Sequence, residues 1–202
     1  MSSTRVKSIS EKNLSYIILG LAFLAGSLLG ALAAGKMTQS GSFDLYGAIL
    51  RFTLAAKTGS LSADFLPVFA RCLGLIAFTT VAGLTTWSVF LIPAVFTIKG
   101  FSFSYTVCSF CAVLGRTNGV LVSLAVCGLR NIFTIFGLVV LSAEYYGKTL
   151  DKKRRKAGLK VFYPDKDYMC RTLLAFASAG IALLCELTLT PALASAVSGL
   201  VP

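Results

Sequence analysis

The chain has 202 residues, of which 56% are hydrophobic and only 13% charged, and its mean hydropathy is +0.81. A soluble domain carries about 25% charged residues, so composition excludes an ordinary soluble fold. The formal net charge of +11 would suggest nucleic acid in a soluble protein, but residues 148–160 hold seven Lys/Arg against one Asp, a local net of +6 beside an apolar run, and that placement points to a membrane surface rather than nucleic acid.

In chain order, a polar, basic start (Arg5, Lys7, Lys12) leads into an uncharged run at 14–34. At ~1.5 Å per residue this run covers the ~30 Å of a bilayer core. Ala31-Leu32-Ala33 has the small-x-small form of a signal cleavage site. The run exceeds the ~7–15 residues of a signal h-region, however, so a retained first helix is expected. Gly26, Gly30 and Ala34 recur every four residues along it, a stripe that lets helix backbones approach closely. Residues 35–64 are mixed. Leu45, Ile49 and Phe52 recur at helical spacing over 43–57, which predicts an interfacial helix or a packed re-entrant element.

A second span is expected at 68–92, behind Asp64 as N-cap and Pro67 in the first turn. Pro93 and Gly100 then interrupt the apolar stretch, with Lys99 placed at a turn. A short or broken third segment follows at 100–115. Residues 115–119 form a tight turn, and a fourth span covers 119–143 with Arg130 and Asn131 near its middle. The basic loop 144–167 leads to a fifth span at 169–190, interrupted at Pro191. The expected fold is an all-α polytopic transmembrane bundle of about five spanning helices. It forms one integral membrane domain over residues 1–202, with no convincing internal repeat.

The loop 144–171 carries nine Lys/Arg, which places it and the N-terminus inside and the C-terminus outside. Lys152, Lys153, Arg154, Arg155 and Lys156 are its candidates for contact with anionic lipid.

Enzyme chemistry finds little support. With no histidine there is no His-ligated metal and no Ser–His or Cys–His arrangement. No phosphate-binding G-x-x-x-x-G-K-[ST] loop occurs. Cys108 and Cys111 form C-x-x-C at helical spacing, but the six cysteines all fall in or beside apolar runs and read as small buried thiols. No cofactor or metal is expected. The polar residues at membrane depth are the candidates for function: Lys99, Arg130, Asn131 and Glu186. Arg130 and Glu186 are candidates to pair, although counting from the expected helix ends puts them ~10 Å apart in depth. Lys99 has Glu144 as its candidate partner. Either these groups clamp the helices together or they line a polar path.

The order FLPVFARCLGLIAFTTVAGL from Phe65, then IPAVFTIKGFSFSYTV, LGRTNG and RNIFTIFGLVVLSAE, resembles the stage II sporulation protein M family of bacterial membrane proteins. The matching positions are Gly83, Pro93, Lys99-Gly100-Phe101, Thr106-Val107, Gly115, Gly119 and Asn131, with Glu186 followed by Pro191 in the last helix. Where the family has Pro-Gln-Asn this chain has Leu129-Arg130-Asn131. The resemblance implies a non-enzymatic membrane scaffold for engulfment during spore formation. Such a scaffold would localise peptidoglycan-degrading single-pass partners similar to sporulation proteins D and P. It also implies helix-packing roles for Gly26, Gly30, Gly83, Pro93 and Gly100. The alternative from a different class is a transporter or ABC-type permease subunit with a polar intramembrane path.

Overall fold

A computed structural model describes residues 2–36, 39–57, 65–85, 87–154 and 166–197, and every element among them is helical. In chain order these are α1 (Ser2–Gly35), α2 (Gln39–Lys57), α3 (Phe65–Leu84), α4 (Ser88–Leu114), α5 (Arg116–Ser123), a π-helical segment (Leu124–Gly128), α6 (Leu129–Arg154), α7 (Lys166–Leu184), a second π segment (Cys185–Leu189) and α8 (Thr190–Val197). Three stretches are long and apolar enough to cross a membrane: Leu14–Gly35, Ser88–Leu114 and Met169–Leu193. Val68–Gly83 and Arg130–Ala143 are shorter apolar helices.

Helix α1 shows the pattern most plainly. Leu14, Ile17, Leu21, Leu24, Leu28 and Leu32 form an exposed apolar stripe, while Ser15, Leu19, Gly26, Gly30 and Ala34 are buried. Most of the large side chains face outward while Gly26, Gly30 and Ala34 face inward, an arrangement suited to a lipid solvent.

The boundary between the second and third helices differs from expectation. The turn is found at Thr85 and Trp87, not at 93–100. Thr85 N–H bonds Ala82 O at 3.1 Å, Ser88 N–H bonds Thr85 O at 3.2 Å and Leu91 N–H bonds Trp87 O at 3.0 Å. The expected short segment at 100–115 is part of one continuous helix, Ser88–Leu114, with Pro93 inside it. Pro93 offers no N–H to the carbonyl of Val89. Thr97 Oγ1 donates to Pro93 O at 3.0 Å. Gly100 is a contact point and not a break, and Lys99 lies in mid-helix.

Two further expected boundaries move. Helix α6 runs on past Ala143 to Arg154, so the first part of the expected loop is helical, and 155–165 lie outside the described residues. Pro191 does not end the last helix, because α8 continues to Val197. The π segment explains how: Thr190 N–H bonds Cys185 O, five residues back, and this wider register relieves the clash that a proline ring makes with the carbonyl four residues back.

Close contacts fix the helix directions. A Cβ on Gly26 would strike Thr97, and one on Gly30 would strike Phe101, so α1 and α4 run parallel. Arg130 meets Glu186, and Gly137 abuts Ala175 and Ser178, so α6 and α7 run antiparallel. Cys72 meets Glu186, while Ile76 lies by Gly137, so α3 runs with α6. Gly115, with φ +82°, reverses the chain between α4 and α5 in one residue, a conformation that glycine takes without steric cost.

The core has two apolar clusters at different levels. Near the end carrying the N-terminus, Leu19, Ile76, Ile92, Phe96, Leu138 and Ala175 pack together. At the opposite end, Ile49 of α2 packs with Leu114 and Val122, flanked by Leu45 and Tyr46. Helix α2 is thus seated on the Gly115 turn by Leu45 and Ile49, two residues of the expected stripe; the side chain of the third, Phe52, lies outside the described residues.

Candidate functional site

The level between the two apolar clusters is polar. Arg130 is the second residue of α6, just past the first π segment, and Glu186 lies within the second. Arg130 Nη1 donates to Glu186 Oε1 at 2.6 Å. The Cys72 Sγ–H of α3 donates to the other carboxylate oxygen, Oε2, at 3.4 Å. One carboxylate therefore ties α3 to α6 and to the helix that follows α7. The Arg130 and Glu186 side chains are only 17% and 13% exposed. Removing either partner would leave the other charge without its counter-ion in a low-dielectric setting, which is costly. A charge-assisted bond of this length is among the stronger hydrogen bonds.

The depth mismatch expected from the sequence disappears with the true helix ends. Counted from Arg116, Arg130 lies ~21 Å along its helix, and counted from Val197, Glu186 lies ~17 Å along its own. The π segments widen the backbone beside both partners. Such bulges break the regular i−4 ladder and occur often at functional positions.

Lys99, half-buried in the middle of α4, and Arg130 are both close enough for their charges to act on the Cys72 thiol. The cluster therefore draws on α3, α4, α6 and the second π segment. The Glu144 side chain, once the candidate partner of Lys99, lies outside the described residues. Asn131 is buried at 8% exposure beside Arg130. Cys72 is the member that sequence reading missed, since a cysteine in an apolar run carries no sign of a polar partner 114 positions away.

The packing candidates divide. Gly26, Gly30 and Gly100 interlock α1 with α4: a Cβ on Gly26 would strike Thr97 backbone, on Gly30 Phe101 O, and on Gly100 Phe23 O. This α1 stripe is used within the chain and is not free to dock another protein. Gly83 lies half-buried in the last turn of α3, and Pro93 is half-buried in α4. Cys108 and Cys111 are half-buried on α4, and Cys111 Sγ–H donates to Arg116 O at 3.8 Å. Among the described residues no three metal-ligating side chains converge. Lys152, Lys153 and Arg154 lie on α6 with side chains outside the described set, and Arg155 and Lys156 lie outside the described residues.

Chemically, the site is a carboxylate held by two donors, with a second cation near, at the middle of a bundle. It can lock helices together or pass a proton or small ion. Comparison with protein-family models, with curated proteins and with solved structures finds no match for this chain. Every element among the described residues is helical, three helices are long and apolar enough to cross a membrane, and a charged bridge is buried between two apolar clusters.

Proposed function

We propose that this chain is a non-enzymatic membrane scaffold of the sporulation-engulfment type, crossing the bilayer five times. The spans are α1, α3, α4, the α5–α6 helix and the α7–α8 helix. Their alternating directions support this count. The N-terminus and the basic stretch then lie inside, the α2 end and the C-terminus outside, in keeping with the Lys/Arg bias. The inner turn holds Thr85 and Trp87.

One observation carries the scaffold reading: both carboxylate oxygens of Glu186 are held, one by Arg130 and the other by Cys72. A bridge closed in this way is a structural clamp. Partner contact falls to the outer surface, where α2 presents Phe43, Asp44, Leu50, Arg51 and Leu54, and to lipid-facing stripes. Single-pass cell-wall hydrolases similar to sporulation proteins D and P would dock there. Lys152, Lys153, Arg154, Arg155 and Lys156 would hold anionic lipid on the inner leaflet.

The test is co-purification from native membranes in mild detergent. Recovery of a peptidoglycan hydrolase, lost on deletion of 39–57, is the expected result. A deletion strain that completes engulfment normally would defeat the reading.

A second reading has its own observation. Both arms of the ion pair stand at π segments, with Lys99 near, a setting suited to a moving polar path. A transporter or permease subunit would co-purify with a cytoplasmic ATPase. It would also lose flux in Glu186→Gln while keeping its fold.

A further inference from the structure

Five of the chain's eight tyrosine and tryptophan residues gather at one level of the bundle: Tyr16, Trp87, Tyr145, Tyr146 and Tyr168. Close contacts give the register. Gly26 of α1 abuts Thr97 of α4, and Tyr16 stands ten residues before the first as Trp87 stands ten before the second. Gly137 of α6 abuts Ala175 of the antiparallel α7. Eight residues on from Gly137 is Tyr145, with Tyr146 next, and seven back from Ala175 is Tyr168.

One apolar cluster ties the two helix pairs together, through Leu19, Ile92, Leu141 and Ala175. On each of these four helices the aromatic residue lies within about two turns of its cluster member, on the side of the N-terminus. Lys12, Lys148 and Lys166 then follow within about one turn, farther from the cluster. Apolar core, amphipathic rings and cations thus succeed one another along α1, α6 and α7. The two rings whose side chains are described face outward: Tyr16 is 47% exposed and Trp87 67%.

An apolar ring with one hydrogen-bonding group is best solvated where hydrocarbon meets headgroups. Deeper, the indole N–H or the phenol would lose its water without return. We propose that these five residues form a ring at the inner headgroup level of the bilayer. In it the Trp87 Nε1–H and the Tyr16 hydroxyl donate to ester and phosphate oxygens of phospholipids, and Tyr145, Tyr146 and Tyr168 complete the ring by position. The inference rests on the reading that α4 crosses the membrane with its start inside.

Trp87 is the chain's one tryptophan, so the unmodified full chain reports on it by intrinsic fluorescence. The chain is reconstituted in phosphatidylcholine–phosphatidylglycerol vesicles whose acyl chains carry bromine either near the ester or near the methyl end. The loss of emission is expected to be greatest with bromine near the ester. In a Trp87→Phe background, Tyr16→Trp should reproduce that order. Ile98→Trp, at an exposed position of α4 ~16 Å farther along the helix, should reverse it. Trp87 emission lost to aqueous iodide but to neither brominated lipid, or lost most to the methyl-end bromine, would overturn the ring. So would a Tyr16→Trp chain whose order differs from that of Trp87. Ile98→Trp quenched by neither lipid would defeat the crossing of α4 itself, and the ring with it. With Ile98→Trp at depth, a failure at Trp87 or Tyr16 belongs to the ring alone.

Discussion

Two interfaces in this molecule hold helices together by opposite means. Helices α1 and α4 meet through Gly26, Gly30 and Gly100, so closely that a methyl group would strike backbone. Helices α3 and α6 meet the second π segment through Cys72, Arg130 and Glu186. Lipid tails are as apolar as leucine, so burying apolar surface does not itself drive helices together in a membrane. Close packing and polar linkage remain, and here each serves a different seam. The packed seam should tolerate no added volume. The charged seam should tolerate volume changes better than the loss of one charge.

Substitutions can break or sharpen that contrast. The largest expected effect is Glu186→Ala, which strands Arg130 and should cost about 3–5 kcal/mol. Replacing both partners, as Arg130→Met with Glu186→Leu, should recover most of that loss. Unfolding in detergent checks both, and a doubly substituted chain as weak as Glu186→Ala would show that the seam depends on more than charge balance.

Next comes Gly30→Ala on the packed seam, expected to cost about 1–3 kcal/mol through overpacking. A midpoint indistinguishable from the parent would mean that α1 can shift away from α4 freely. Cys72→Ala removes one donor from the carboxylate and should cost about 0.5–1.5 kcal/mol, with Cys72→Ser milder. Equal losses for the two would assign the cysteine a packing role alone.

The smallest effect is a control. Gly20 has nothing within 4 Å of where its Cβ would sit. Gly20→Ala should therefore stabilise slightly, by up to about 0.5–1 kcal/mol, from helix propensity. A loss as large as that at Gly30 would mean that Gly20 also packs against a neighbour.

Sequence alone revealed part of this. The small-residue stripe of α1, the helix seated by Leu45 and Ile49, and the polar residues at depth were all legible, because spacing and hydropathy report them directly. Prolines misled. Pro93 and Pro191 read as interruptions, yet both lie inside helices. In water a freed carbonyl finds a solvent partner, whereas a hydrophobic stretch gains more by keeping its remaining rungs. The true turn was signalled differently. Thr85, Thr86, Trp87 and Ser88 gather hydroxyls around the chain's one tryptophan, a residue enriched at membrane–water interfaces. The Arg130–Glu186 bridge was half legible: both residues stood out, but their shared depth depended on helix ends that sequence misplaced. Cys72 was not legible, since its partner is set by tertiary packing alone.

The parallel seating of α1 against α4 bears on how the chain is made. Thr97 leaves the ribosome roughly seventy residues after Gly26, about 4–14 s later at ordinary synthesis rates. Through that interval the glycine groove of α1 has no mate, and two helical elements, α2 and α3, emerge first. The neighbour that closes the groove is therefore not the next element to be made.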